Sequence, residues 1–75
     1  MRGFPTSEQV KRIRARYPAG TRIELIHMED PYTKLKFGER GTVVGVDDAG
    51  QIMMDWDSGS SLSLILGEDS FTEVQ

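Results

Sequence analysis

"GTVVGVDDAGQIMMDWD", Gly41–Asp57, decides the fold of this chain. Its first half is rich in valine, and its centre, DDAG, holds the Asp and Gly residues that tight turns need. Its second half alternates strictly, and one side of it consists of Ile52, Met54 and Trp56. Such alternation indicates a strand with one buried and one solvated face. We therefore predict an antiparallel hairpin, with a bulge or sharp bend at Gly45 in its first strand.

Three further strands are predicted around this hairpin. Upstream, TRIELIHM (residues 21–28) alternates, and downstream LSLIL (residues 62–66) alternates with its leucines on one side. A short last strand is expected over Phe71–Val74. Between them, DWDSGSS (residues 55–61) sets two aspartates beside serines and a glycine. Because turns demand these residue types, we interpret this stretch as a strand end, a turn and a strand start.

The N-terminal part, TSEQVKRIRARYPAG, predicts one helix over about residues 6–17. Thr6 and Gln9 have the spacing of a capping box, and Pro18 and Gly20 end the helix. Its apolar face is only three residues wide and consists of Val10, Ile13 and Tyr17. So narrow a face suits a helix that lies across one end of a sheet.

In this order, the elements predict one mainly β domain: a small five-stranded SH3-like barrel over about residues 21–75, with one N-terminal α-helix. A long loop follows the first strand, and closing the sheet would remove its exposed edges. A chain of this size buries only about 60% of its unfolded surface. We therefore expect little room for a ligand pocket of roughly 300–1,000 Å³.

Three segments resemble domain-of-unknown-function family 4314: YPAGTRIELIHMEDPY (17–32), GERGTVVGVDDAGQIMMDWDSGSSLSL (38–64) and GEDSF (67–71). The resemblance implies a small bacterial or phage protein with an SH3-like fold, often carried on mobile elements, and it implies no activity. More loosely, GERGTVVGV (38–46) is similar to the strand-opening motif of KOW and related SH3-like domains, some of which bind RNA or ribosomal partners. The strands here are acidic, unlike those of many nucleic-acid-binding examples.

Composition excludes several classes of function. The chain has no cysteine, which rules out disulfides, thiolate metal sites and thiol catalysis. Small secreted domains usually need disulfides, so we expect a cytoplasmic protein. The first ten residues lack the apolar core of a signal peptide, and no apolar run approaches the roughly 20 residues of a membrane helix. We expect no membrane partner.

Charge is distributed unevenly along the chain. Residues 1–22 carry six basic side chains and one acid, which gives +5, and residues 23–75 carry three basic side chains and eleven acids, which gives −8. The basic helix either rests on the acidic body or forms a nucleic-acid surface. In the second case the phosphate contacts would come from Lys11, Arg12, Arg14 and Arg16.

The loop EDPYTKLKFGER (29–40) is longer than the usual two to six residues, so it is either functional or packed by its own side chains. Aromatic residues on such loops hold peptides in SH3-like domains. The candidate partner-binding residues are Pro31, Tyr32, Leu35 and Phe37, with Met53 as a possible neighbour. The alternative is that the loop aromatics fold back and plug the end of the barrel. Two locations are also possible for Trp56. The alternation of its strand favours the core, but many SH3-like barrels carry a tryptophan on the binding surface.

No catalytic or metal-binding set emerges from the sequence. Counted from Asp55 as a calcium loop, the pattern has Gly59, Ser60 and Leu66 at three positions that need other residue types. The single histidine, His27, has no evident nucleophile beside it. We therefore predict a protein that is not an enzyme and uses no metal or cofactor. The primary hypothesis is a module that binds an unidentified protein partner, and the alternative is a nucleic-acid-binding accessory domain.

Overall fold

The computed structural model describes residues 6–28 and 34–75. One helix, α1 (Ser7–Arg16), precedes four strands: β1 (Arg22–His27), β2 (Arg40–Val46), β3 (Ile52–Trp56) and β4 (Ser70–Val74). The strands form one antiparallel sheet in the order β3-β2-β1-β4. The described part of the chain is therefore mainly β with one helix, as the sequence predicts.

One of the five predicted strands, residues 62–66, does not form among the described residues. Only Leu64 pairs with β3, through two backbone hydrogen bonds with Ile52 of 2.8 and 2.9 Å. The chain then turns, because the backbone N–H groups of Glu68 and Asp69 donate to the Ile65 carbonyl and Gly67 takes a φ of 94°. The sheet is therefore open and four-stranded, where a closed five-stranded barrel was predicted.

Local sequence signals account for the helix and for the bend in β2. The Thr6 hydroxyl accepts from the Gln9 N–H at 3.2 Å, and the Gln9 side chain accepts from the Thr6 N–H at 2.8 Å, so the predicted capping box is present. The register between β2 and β3 shifts at Val43–Gly45, which confirms the predicted bulge. The bulge turns Val44 out into solvent.

The core lies between the sheet, α1 and the segment around Leu64. Trp56 is at its centre with 1% of its surface exposed, and its indole Nε1 donates to the Leu62 carbonyl at 2.8 Å. That bond satisfies the one polar atom of a ring that is otherwise apolar. Of the two locations predicted for Trp56, the structure therefore shows the core. The other fully or nearly buried residues are Val10, Ile23, Leu25, Met28, Val43, Val46, Ile52, Met54 and Leu64.

Candidate functional site

The two ends of β2 define two surfaces of the domain. The loop end comprises residues 34–39, which lead into β2, and residues 57–60, which follow β3. The helix end comprises α1, the β2–β3 turn at residues 47–51, and residues 65–66. The candidate residues from the sequence divide between these two ends.

Phe37 occupies the tip of a tight turn at the loop end. The Glu39 N–H donates to the Lys36 carbonyl at 3.1 Å, and the Gly38 N–H donates to the Leu25 carbonyl of β1 at 2.8 Å. Gly38 has a φ of 92°, a conformation that other residues rarely adopt. The turn therefore leaves Phe37 pointing into solvent with 74% of its surface exposed. For Phe37, folding back to plug the core is ruled out.

The other candidate partner-binding residues divide into three cases. Leu35 is half-buried and packs against the core, so it anchors the loop. Pro31 and Tyr32 lie outside the described residues. Met53 is 37% exposed but pairs with Gly45, at the other end of β2 from Phe37. The strand rise separates Arg40 from Gly45 by about 17 Å, so the structure does not bring Met53 next to Phe37.

The residues next to Phe37 in the loop include two exposed lysines. Lys34 and Lys36 are exposed, and neither forms an ion pair with another described residue. Beyond them Arg40 pairs with Glu24 at 3.0 Å. A depression of about 270 Å³ lies beside Lys34, between the loop and the turn at residues 57–60. The loop end therefore combines an exposed aromatic side chain with two lysines that form no ion pair with the described residues.

Arg22 and Asp57 form a bidentate ion pair on the outer face of the sheet. The two guanidinium nitrogens of Arg22 donate to the two carboxylate oxygens of Asp57 at 2.8 and 2.7 Å. These hydrogen bonds hold the pKa of Asp57 below its ordinary value of 3.8, and the positive charges of Arg22 and Arg40 act in the same direction. The ion pair therefore stabilises the folded state at pH values above the pKa of Asp57 in the unfolded chain. This contribution is lost as the pH falls through the lower pKa of Asp57 in the folded protein.

We expect Arg22→Ala to raise the pKa of Asp57 toward 3.8, because the main cause of its depression is removed. The carboxyl carbon shift of Asp57, followed by NMR against pH, measures the change. Arg16→Ala is the matched control, since Arg16 pairs with Glu73 at 2.6 Å and not with Asp57. An identical Asp57 titration in the wild type and in Arg22→Ala would contradict the assignment.

The four candidate cations of α1 are not equivalent. Arg14 donates to the Val46 carbonyl and to Asp48, both at 3.1 Å, and Arg16 pairs with Glu73 and lies over the Tyr17 ring. These contacts attach the basic helix to the acidic body. Lys11 and Arg12 are exposed, and neither forms an ion pair within residues 6–28 and 34–75. The cations free to meet phosphate are therefore fewer than the sequence suggested.

A groove of about 400 Å³, which was not predicted from the sequence, lies at the helix end. Arg12 and Ile13 line it from α1, Gly50 and Gln51 from the β2–β3 turn, and Ile65 and Leu66 from the far side. The expectation that 75 residues leave little room for a pocket of this size does not hold here. The sequence contains one signal of this exposed apolar surface. Ile65 and Leu66 are adjacent apolar residues, and because successive side chains of a strand point to opposite faces, they cannot both point into the core.

A family model described as Domain of unknown function (DUF4314) matches residues 6–74. The chain belongs to DUF4314. No curated protein and no solved structure matches the sequence significantly. The function of this DUF4314 domain must therefore be argued from its own surfaces.

Known catalytic and metal-binding arrangements are not evident in the described part of this DUF4314 domain. His27 is exposed at the end of β1, where the register with β4 shifts. No group of three or more potential metal-ligating side chains comes together within residues 6–28 and 34–75. Asp47 is used by the β2–β3 turn, where its carboxylate accepts from the N–H groups of Ala49 and Gln51. No described helix has the length and apolar character of a membrane span.

Proposed function

We propose that this DUF4314 domain is a non-enzymatic protein-interaction module whose loop end binds an acidic segment of a partner protein. The observation that carries the proposal is the 74% exposure of Phe37 on an ordered turn. An exposed phenyl ring gains free energy when a partner covers it. Aromatic side chains that enter a partner's pocket commonly dominate the binding energy of an interface.

Order in the turn supports this role. Gly38 ties the turn to β1, the Lys36 N–H donates to the Glu39 carboxylate at 3.0 Å, and Leu35 anchors the preceding residues to the core. A side chain presented on such a turn loses little conformational freedom on binding, so more of its contact energy appears as affinity.

The chemistry of the partner follows from the neighbouring charges. Lys34 and Lys36 precede Phe37 in the loop and form no ion pair with the described acids. Opposite charge on the partner would speed encounter and fix the orientation of the complex. A partner segment with acidic residues around an apolar pocket therefore suits this surface best.

We also propose that the fold is an SH3-like barrel. Leu64 bridges to β3, and Leu66 bridges to Asp69 directly before β4, so residues 62–69 run between the two edge strands of the sheet. This course supports closure of the sheet by an irregular segment in place of a fifth strand. The absence of cysteine favours a cytoplasmic setting for the same domain.

Replacing Phe37 with serine should weaken binding of the partner by about 30-fold, the effect of losing roughly 2 kcal/mol at a dominant interface residue. The measurement is a tagged pull-down from a lysate of the native cell after nuclease treatment, followed by titration of the recovered protein. Val44→Ser is the matched control, since Val44 is an exposed apolar residue on β2 with 56% of its surface accessible. A partner that binds Phe37→Ser and the wild type equally would overturn the proposal.

The nucleic-acid alternative gives a different result in the same assay. Binding through Lys11 and Arg12 would disappear with nuclease and in a Lys11→Glu/Arg12→Glu variant, while Phe37→Ser would bind normally. Binding would also weaken with salt, with a slope near −0.9 per phosphate contacted in duplex DNA. Because Arg14 and Arg16 already have acidic partners, that slope would be shallow.

A further inference from the structure

We propose that the groove at the helix end is a second binding site, which takes a partner peptide segment carrying apolar side chains next to one carboxylate. It is independent of the loop end, because its walls are α1, the β2–β3 turn and residues 65–66. Its volume of about 400 Å³ lies within the roughly 300–1,000 Å³ typical of ligand sites.

The apolar wall of the groove is fixed before any partner arrives. Ile65 and Leu66 are 37% and 47% exposed, although most large apolar residues of the domain are covered. A turn holds them outward: the Ile65 N–H donates to the Asp69 carboxylate at 2.8 Å, and the Asp69 N–H donates to the Ile65 carbonyl at 2.9 Å. Adjacent exposed apolar side chains at the wall of a groove mark a contact surface.

The opposite wall is equally well defined. In the β2–β3 turn, the Asp47 carboxylate accepts from the Ala49 and Gln51 N–H groups at 3.0 and 2.9 Å, and the Gly50 N–H donates to the Asp47 carbonyl at 3.0 Å. Two ordered turns therefore frame the groove, so a ligand would not have to order its walls.

The charge of the occupant follows from Arg12. Arg12 lines the groove, is exposed, and forms no ion pair with any described residue, whereas its neighbour Arg14 is satisfied by Val46 and Asp48. A guanidinium presents a planar fork of donors that matches a carboxylate. Gln9 also lines the groove, and its side-chain carbonyl is used by the capping box.

A nearby acidic residue limits how much negative charge the occupant should carry. Glu68 follows the apolar wall and is exposed, so it would repel a run of negative charges. One carboxylate placed at Arg12, with apolar side chains against Ile13 and Leu66, complements the groove on both counts. A short segment of a partner protein, with a glutamate beside leucines, has this chemistry.

The test uses two synthetic 14-residue amphipathic peptides, one with leucines beside a single glutamate and a twin with lysine in place of that glutamate. In NMR titrations of the ¹⁵N-labelled protein, the glutamate peptide should shift the amides of residues 9–13, 49–51 and 65–66. Arg12→Glu should weaken binding of the glutamate peptide by at least about tenfold and strengthen binding of the lysine twin, since the contact is one charge pair. Leu66→Ser should weaken binding of both peptides.

Phe37→Ser is the matched control, because it removes an exposed apolar side chain from the other end of the domain and should change neither titration. Retained chemical-shift dispersion checks that each variant is folded. No shifts at the groove residues, or no change of charge preference in Arg12→Glu, would overturn the proposal. Groove shifts that depend on protein concentration without peptide, with dimers in sedimentation, would assign the groove to a second copy and also overturn it. None of these results affects the proposal for Phe37.

Discussion

Trp56→Ala should remove about 3–5 kcal/mol of folding free energy, the usual cost of deleting a large buried aromatic side chain. Trp56 is the largest fully buried side chain among the described residues, with 1% of its surface exposed. A domain of 75 residues has a total stability of roughly 4–11 kcal/mol. We therefore expect the variant to lose at least about a quarter of its stability, and to be largely unfolded at room temperature if the wild type lies at the lower end of this range.

Urea unfolding followed by far-ultraviolet circular dichroism measures this loss, since the variant lacks the only tryptophan that fluorescence could report. Trp56→Phe should be intermediate, because it keeps an aromatic ring but removes the 2.8 Å donor to the part-buried Leu62 carbonyl, at a cost of about 0.5–1.5 kcal/mol. Phe37→Ala is the control at an exposed aromatic residue and should stay within about 0.5 kcal/mol. Equal urea midpoints for Trp56→Ala and Phe37→Ala would contradict the assignment of Trp56 to the core.

Gly41→Ala should destabilise the domain by about 1–3 kcal/mol, the usual cost of overpacking. Gly41 lies directly opposite Trp56 in the β2–β3 register. A methyl group at this position would meet the Trp56 Cε3 at 2.8 Å, the Trp56 Cα at 2.9 Å and the Asp55 carbonyl oxygen at 3.0 Å. Two of these atoms are backbone, so β3 itself would have to move.

Gly45→Ala provides a matched comparison in the same strand. Its methyl group would meet only the Met53 Cε, at 3.5 Å, which is an ordinary contact with the end of a flexible side chain. We expect a change of no more than about 0.5 kcal/mol. Thermal and urea unfolding of the two variants in parallel test the prediction, and a larger loss at Gly45 than at Gly41 would refute the packing argument.

Much of the fold was accessible from the sequence because the signals are local and periodic. The alternation of Ile52, Met54 and Trp56 fixed which face of β3 is buried. The spacing of Thr6 and Gln9 gave the start of α1, and Gly45 gave the bulge. Each of these features depends on neighbours within a few residues, so a single sequence contains the necessary information.

The same reasoning failed at residues 62–66, where the pattern predicted a full strand. The alternation of the leucines is real, but only Leu64 pairs with β3 and only Leu64 is fully buried. A turn that uses the Asp69 carboxylate and Gly67 competes with the extended conformation immediately afterwards. The period of the hydrophobic residues alone does not show whether a segment forms a strand or a turn that begins within that segment.

Of the candidate sites, the sequence determined the residue types and the tertiary structure decided their availability. The sequence by itself identified the basic helix, the aromatic loop and the absence of cysteine chemistry. Only the tertiary structure showed that Arg14 and Arg16 are occupied by Asp48 and Glu73, that Phe37 is exposed, and that a groove forms at the helix end. The reason is that ion pairs and grooves join segments far apart in the chain, and their geometry exists only after the chain has folded.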